Sequence, residues 1–130
     1  MCSDDKRLVS SMFRQIEAAI LRITEWNADM QDIDDYLREP LGAQVLSATC
    51  MQLQAIGEGI KNIDKRTNGA LLPQRPEIPW KQVKGLRDHI AHGYFEIDTE
   101  IIFHTVKEDL VPLLAAVRFF IAELKDNETA

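Results

Sequence analysis

Apolar side chains recur every three or four residues along three long stretches of this chain, and this period constrains the fold more than any other feature. The stretches cover about residues 4–27, 41–63 and 99–124. Because an α-helix turns once in about 3.6 residues, such spacing places the apolar side chains on one face of a helix. No stretch shows the strict alternation of apolar and polar residues that is typical of a half-buried strand. The sequence therefore predicts an all-α protein.

Prolines and turn residues separate the predicted helices. Pro40 marks a boundary before the second helix, because it disfavours helical geometry at the preceding residue. Residues 64–78 contain an Asn-Gly dipeptide and two prolines, which predicts a long loop. Pro79 suits the first position of a third helix that ends near Gly93, and Pro112 is expected to kink the fourth. We predict an antiparallel, up-and-down four-helix bundle with a long loop before the third helix, formed by the 130 residues as one domain.

The sequence patterns of most familiar enzyme classes are missing. Cys2 and Cys50 lack CxxC spacing, which argues against a disulfide framework, a zinc site or a redox pair. The chain has no glycine-rich phosphate loop, no Glu-x-x-His pair and no GxSxG elbow. His89 and His92 alone are a weak hint of metal binding, so we expect neither a metal nor a cofactor. A charged N-terminus and the lack of an apolar run of about 20 residues predict a soluble, cytoplasmic protein.

Charge is distributed unevenly along the chain. The net charge is −6, which argues against general coating of nucleic acid. Residues 61–87 nevertheless hold seven basic and two acidic residues, so this segment carries +5 and the remainder carries −11. A run of this kind is either a solvated surface or a basic surface beside an active site.

Residues 85–98 gather two of the three histidines and one of the two tyrosines around Arg87. If the third helix continues that far, Arg87 and Tyr94 share a face, because seven residues span about 700°. Asp88 and His92 are spaced i, i+4, so the carboxylate could hydrogen-bond the imidazole and favour its charged form. Arg87 and His92 are about 140° apart around such a helix. Both reach one phosphate only if Arg87 swings, the helix end unwinds or a second protomer contributes.

Structural roles for the same side chains stay open at this point. Arg87 falls on the same helical face as Val83 and Ile90, where it could form a buried salt bridge. His92 could cap the end of the helix, and His89 could carry protons or face solvent.

Three blocks of sequence together resemble a known family. The pattern Arg87-x-x-x-x-His92-x-Tyr94 resembles the RX4HXY motif of HepT-like toxins, within the HEPN superfamily of small helical nucleotide-binding and RNase domains. The other blocks are Ile56-Gly57-Glu58 on the second helix and Pro76-Glu77-Ile78-Pro79-Trp80 ahead of the motif helix. RX4H alone is a weak pattern, but its occurrence with these blocks in this order is specific, and the resemblance covers about residues 8–124.

This resemblance implies a homodimeric, metal-independent endoribonuclease, the toxin of a bacterial toxin–antitoxin pair, that cleaves RNA such as tRNA or mRNA. Carried over by position, Arg87 and His92 are the catalytic pair and Asp88 is the polar residue beside the arginine. Tyr94 is the residue to which a MntA-like nucleotidyltransferase antitoxin transfers AMP.

The basic segment then becomes a possible RNA-binding surface, with Lys81 and Lys84 on the motif helix, while Glu58 has no assigned role. The alternative is a non-catalytic HEPN module that holds nucleotide or substrate for a minimal nucleotidyltransferase. A purely structural helical bundle is a third interpretation.

Overall fold

A computed structural model describes residues 1–91 and 96–129 of the chain, and the helices within these ranges form a bundle. They are α1 (Ser3–Trp26), α2 (Pro40–Arg66), α3 (Trp80–Lys84), α4 (Leu86–Ile90), α5 (Thr99–His104) and α6 (Leu110–Thr129). Short 3-10 helices lie at Ile33–Tyr36 and Leu72–Gln74, and a π-helical segment, Thr105–Asp109, joins α5 to α6. Helix α1 packs on α2 and α6, and α2 packs on α3 and α4. The predicted all-α bundle is confirmed, with its third and fourth helices each divided.

The apolar stripes of α1 and α2 form the core, as their spacing predicts. Helix α1 buries Val9, Phe13, Ile16, Ile20 and Ile23, and α2 buries Leu46, Leu53, Ile56, Ile60 and Ile63. The Phe13 ring stacks on Phe120 of α6 with 5.1 Å between ring centroids. Since each such side chain contributes about 1.5–3 kcal/mol on burial, this core stabilises the bundle strongly. None of the helices in the described ranges is long and apolar enough to cross a membrane.

The third helix is divided at Gly85, between α3 and α4. The Gly85 N–H donates to the carbonyl oxygens of Lys81 and Gln82, which closes the last turn of α3. Glycine is a poor helix former, so a break at this position is less costly than elsewhere in the helix. Each half has only five residues, and helices this short are held by packing rather than by local propensity.

The predicted third helix from Pro79 to Gly93 is too long at its carboxyl end. The observed helix begins one residue later than predicted, because Pro79 is the N-cap of α3. It ends at Ile90 rather than near Gly93. Ala91 is extended, with φ −144° and ψ 133°, and forms an antiparallel bridge with Ile97. This tertiary pairing takes the backbone out of helical geometry before the expected glycine stop.

The fourth helix is irregular just ahead of Pro112, where a kink was predicted. Residues Thr105–Asp109 are π-helical. Pro112 has no N–H to offer the carbonyl of Glu108, the partner it would have in a regular α-helix, and this loss favours a widened turn upstream. Thr105 lies in the segment with its hydroxyl buried and without a hydrogen-bond partner in the described structure.

Buried polar side chains hold the π-helical segment against the end of α1. The Tyr36 hydroxyl donates to Asn27 Oδ1 at 2.6 Å, and Asn27 Nδ2 donates to Thr49 Oγ1 at 2.9 Å. Lys107 of the segment donates from Nζ to the backbone carbonyl of Asn27 at 2.8 Å. Because buried polar groups that find partners specify one arrangement, this network fixes the segment relative to α1 and α2.

Candidate active site

Helix α4 is anchored to the bundle by Leu86 and Ile90, which are both buried. Its approach to α2 is close because Gly57 has no side chain. A Cβ at that position would lie 2.9 Å from the carbonyl oxygen of Val83 and 3.3 Å from the Cβ of Leu86. A backbone oxygen cannot move aside as the end of a flexible side chain can. Gly57 therefore sets the distance between α2 and the motif helix, which gives the Ile-Gly-Glu block a physical role.

Arg87 and Asp88 are both exposed on α4. With Leu86 and Ile90 defining the buried face, and about 100° between successive residues, Asp88 lies opposite that face. Arg87 and His89 are about 160° apart, on opposite edges of it. The His89 edge faces α5, so Arg87 lies on the edge directed away from α5. The Arg87 guanidinium makes no hydrogen bond or ion pair with any residue in the described ranges.

The exposure of Arg87 removes one of the alternatives left open by the sequence, a buried salt bridge. The sequence placed Arg87 on one apolar helical face with Val83 and Ile90, where it could have formed a buried salt bridge. The break at Gly85 removes the continuous helix on which that alignment depends. Both apolar side chains are buried, but Arg87 is not.

His92 and Tyr94 lie outside the described residues, so their roles stay predictions. The helical spacing that related Arg87 to Tyr94 and Asp88 to His92 does not hold, because α4 ends at Ile90. Any contact between Asp88 and His92 therefore cannot be derived from an i, i+4 helical geometry.

Two contacts join the end of α4 to the residues just before α5. The N–H of Asp98 donates to the carbonyl of Ile90 at 2.8 Å, beside the bridge between Ala91 and Ile97. The Asp98 carboxylate accepts a hydrogen bond from the N–H of Ile101 at 3.1 Å and so caps α5. These contacts fix the end of the motif helix against the start of α5.

The two lysines predicted to contact RNA differ in their surroundings. Lys84 Nζ lies 2.8 Å from Asp64 Oδ2, so an acidic side chain of α2 already neutralises its charge. Lys81 is exposed and pairs with no acidic residue in the described structure. Lys61 and Glu58 are exposed on α2. Lys81 is therefore better placed than Lys84 to meet a phosphate.

The residues N-terminal to α3 fix where the motif helix begins. The Trp80 indole N–H donates to the backbone carbonyl of Arg75 at 2.9 Å, and its ring packs 6.1 Å from Phe120. Ile78 is buried. The Glu77 carboxylate accepts from Arg75 Nε at 2.9 Å. A hydrogen bond from its own backbone N–H, and then the one from Arg75, lower the pKa of Glu77.

His89 faces a depression between α4 and α5 that the sequence did not reveal. Gln82 Nε2 lies 3.1 Å from His89 Nε2, and Glu100, His104 and Asp109 line the same depression. His104 Nε2 lies 3.5 Å from Asp109 Oδ1. Across the described structure, no three His, Cys, Asp or Glu side chains are grouped closely enough to hold a metal ion. The seven-residue spacing of Gln82 and His89 could have indicated that these two side chains lie on one face. The other lining residues come from a separate part of the chain, so the sequence carried no signal for them.

Tyr36, the tyrosine within the described residues, is fully buried. Burial, and secondarily the charge of Asp35, raises the pKa of Tyr36 to about 12. Its hydroxyl is also occupied as a donor to Asn27 Oδ1. Tyr36 is therefore closed to reaction in the folded protein.

A family comparison covers most of the chain. Residues 15–119 match the family described as "Ribonuclease HepT-like". No solved structure matches the chain.

Curated relatives agree with this family match. "Probable ribonuclease HepT" of Thermococcus cleftensis is 32% identical over 111 residues, which are 83% of this chain and 91% of the relative. A "Putative RNase" of Caldanaerobacter subterraneus subsp. tengcongensis is 28% identical over 85 residues, 65% of this chain and 70% of the relative. A "Putative RNase" of Methanocaldococcus jannaschii is 29% identical over 105 residues, 81% of this chain and 89% of the relative.

Proposed function

This chain belongs to the HepT-like ribonuclease family, and on that basis we propose that it is a metal-independent endoribonuclease in which Arg87 and His92 act on the scissile phosphate. The observation that carries the proposal is the state of Arg87. Its guanidinium is exposed on α4 and is not paired with any described acidic residue, although α4 itself is fixed by buried anchors. A cation that no described residue neutralises, held on a fixed helix, is suited to recognition of a phosphate.

The chemistry needs no nucleophile from the protein. The 2′-hydroxyl of the RNA attacks the adjacent phosphorus, and the bond to the 5′-oxygen of the next nucleotide breaks. His92 takes the proton from the 2′-hydroxyl and, as imidazolium, gives it to the leaving 5′-oxygen, so that the products are a 2′,3′-cyclic phosphate and a free 5′-hydroxyl. Arg87 stabilises the negative charge that develops on the phosphorane-like transition state. The missing serine and cysteine motifs are consistent with this scheme.

A homodimer supplies the geometry that one short helix lacks. Arg87 and His92 from two chains would line one cleft, so that residues of both protomers contact a single phosphate. Asp88, on the outward face of α4, is a polar residue beside that cleft. Lys81 extends the cationic surface along the RNA, with a smaller contribution from Lys84 because Asp64 neutralises it.

The same protein would be the toxin of a toxin–antitoxin pair in the cytoplasm, with tRNA or mRNA as its target. Its antitoxin would be a MntA-like nucleotidyltransferase that transfers AMP to Tyr94. Each AMP adds a phosphate that can pair with a nearby guanidinium and obstruct the RNA path. The burial of Tyr36 supports Tyr94 as the sole tyrosine acceptor.

Cleavage of bulk RNA in EDTA tests the ribonuclease proposal. We expect the parent protein to cleave, and Arg87→Ala and His92→Ala to lose activity by about 10²–10³, or about 3–4 kcal/mol of transition-state stabilisation. Arg14→Ala is the matched control, because Arg14 is an exposed arginine on α1 outside the motif. An inactive parent protein would instead favour the non-catalytic binding module, and equal loss in the control would refute a specific role for Arg87.

Intact mass measured after incubation with the nucleotidyltransferase and ATP tests the regulatory half of the proposal. The parent chain should gain AMP units, and Tyr94→Phe should gain none. Tyr36→Phe is the control expected to remain a substrate, since its hydroxyl is buried. AMP transfer that persists in Tyr94→Phe would move the modification to another residue and overturn this assignment.

A further inference from the structure

A shallow depression on α1 is lined by two arginines and two serines. Arg7, Ser10, Ser11 and Arg14 form this lining, and the space they surround has a volume of about 300 Å³. The four residues share one face of the helix, because seven residues span about 700° and the serines fall between the arginines. The two arginines are about 10 Å apart along the helix axis. Arg87 is not among the described residues of the lining, so this depression is separate from the candidate active site.

The two guanidinium groups of this depression have no acidic partner in the described part of the chain. Arg7 and Arg14 are exposed, and neither forms a hydrogen bond or ion pair with a described residue. Glu17 lies one turn beyond Arg14, but its carboxylate already accepts a hydrogen bond from Arg118 Nε at 2.9 Å. Asp4 lies one turn ahead of Arg7 and forms no ion pair with it. The depression therefore carries two positive charges that no described neighbour cancels.

The Ser10 hydroxyl opens into this depression without a partner. Ser10 is only 4% exposed, and its hydroxyl makes no hydrogen bond within residues 1–91 and 96–129. Other helical hydroxyls of the chain donate to the carbonyl four residues back, as those of Thr24 and Thr67 do at 2.9 Å. Within the same ranges Thr105 Oγ1 is the unpaired side-chain atom that is fully closed to solvent, so the unpaired Ser10 hydroxyl keeps some open surface. Because Ser10 lines the depression, that surface meets its contents.

Donor groups and charge together select the ligand. Arginine has five N–H donors and no acceptor, and each serine adds an O–H donor, while no carboxylate or amide of a described residue lines the depression. A complementary ligand must therefore bring several acceptor oxygens and about two negative charges. A phosphate monoester has three terminal oxygens and a charge of about −1.5 to −2 at pH 7. A carboxylate or a phosphodiester of an RNA backbone carries a single charge and would leave one guanidinium without a partner.

We propose that this depression binds a phosphate dianion, either as inorganic phosphate or as the terminal phosphate of a mononucleotide. The guanidinium forks of Arg7 and Arg14 each hold two phosphate oxygens, and the Ser10 hydroxyl donates from between them. The bound dianion neutralises both arginines and gives the Ser10 hydroxyl the partner that it lacks. The site requires no ribonuclease activity, so this proposal is decided separately from the proposed function.

Titration of the full-length protein with four small molecules, followed by amide NMR shifts, tests the site. Inorganic phosphate and AMP carry the dianion, dimethyl phosphate carries one charge, and adenosine carries none. We expect phosphate and AMP to bind at low salt with dissociation constants on the order of 1 mM, with shifts centred on residues 7–14. Dimethyl phosphate and adenosine should bind at least about tenfold more weakly. Equal affinity for phosphate and AMP identifies free phosphate as the ligand, and an affinity for AMP about tenfold higher identifies a nucleotide. Equal binding of dimethyl phosphate, or shifts centred away from α1, would overturn the proposal.

Matched variants separate this site from general attraction between the protein and an anion. Arg7→Ala and Arg14→Ala should each weaken phosphate binding about tenfold or more, whereas Arg22→Ala, at an exposed arginine of α1 outside the depression, should leave it unchanged. Ser10→Ala should weaken binding about threefold or more, because it removes a hydroxyl donor and keeps a good helix former. Arg87→Ala should retain binding, which distinguishes this site from the ribonuclease site. Equal binding by Ser10→Ala and the parent, or an equal loss in Arg22→Ala, would overturn the proposal.

Discussion

The two edges of the short helix α4 differ in chemistry although they are only two residues apart in sequence. Arg87 is exposed on one edge without an acidic partner in the described structure, at the end of the sequence segment 61–87 of charge +5. On the other edge His89 faces a depression lined by Glu100 and Asp109. One edge is suited to a polyanion and the other to a cation. The two edges of one short helix therefore differ in the sign of the charge around them.

The largest expected effect is on RNA cleavage, when the residue on each edge of α4 is substituted in turn. Arg87→Ala should lower RNA cleavage by about 10²–10³, because the transition state loses its cationic partner. His89→Ala should change cleavage by less than about threefold, since His89 lies about 160° away around α4. Cleavage rates of the two variants under identical conditions provide the measurement. A comparable loss in His89→Ala would remove the distinction between the edges.

The next effect concerns the packing that holds α4 in place. Gly57→Ala should lower the free energy of unfolding by about 1–3 kcal/mol, because the added Cβ would lie 2.9 Å from the Val83 carbonyl oxygen. Displacement of α4 should also reduce RNA cleavage. Urea denaturation measures the loss of stability. Gly69→Ala, at an exposed turn, is the contrasting variant. Nothing lies near the Cβ position of Gly69, but its φ of 72° makes alanine strained there. Unchanged stability and activity in Gly57→Ala would mean that α4 adapts to the added methyl group.

A smaller effect on stability, of opposite sign, is expected in the π-helical segment. Thr105→Val should raise the free energy of unfolding by about 1 kcal/mol, because it replaces an unpaired buried hydroxyl with a methyl group of similar shape. The midpoint of thermal unfolding should rise by about 2–8 °C. Thr105→Ser keeps the hydroxyl and should give no such gain. A lower midpoint in Thr105→Val would indicate that the hydroxyl has a partner in the folded protein.

The smallest effect distinguishes two lysines of the basic segment. Lys81→Ala should reduce the slope of log binding constant for single-stranded RNA against log salt by about 0.7, the value for one lost phosphate contact. Lys84→Ala should change that slope less, because Asp64 already neutralises Lys84 at 2.8 Å. Binding titrations at several salt concentrations, using a cleavage-deficient background, measure both slopes. Equal changes would mean that the ion pair opens when RNA binds.

Much of the fold could be predicted from sequence because it depends on local periodicity. The apolar spacing of α1 and α2 gave their extent within a few residues, and the boundary before α2 at Pro40 follows from backbone chemistry. The end of α4 could not be predicted in this way, because the bridge between Ala91 and Ile97 depends on where α5 packs.

The residues of the candidate site could likewise be predicted only where the sequence itself displays their chemistry. Arg87, Asp88 and Lys81 were found from a motif and from charge, which sequence displays directly. The depression that His89 faces was missed because its lining residues come from separate segments and approach one another only in the fold. Thr105 gave no signal at all, since an unpaired hydroxyl is a property of surroundings rather than of residue type.

The division of the motif helix into two five-residue pieces has a consequence for dynamics. Neither piece can persist alone, so its amide protons are protected from solvent exchange only while Val83, Leu86 and Ile90 stay seated in the core. Opening this small unit costs less than unfolding the long helices around it. Hydrogen exchange should therefore find Arg87 on a locally opening segment carried by a slower-exchanging scaffold.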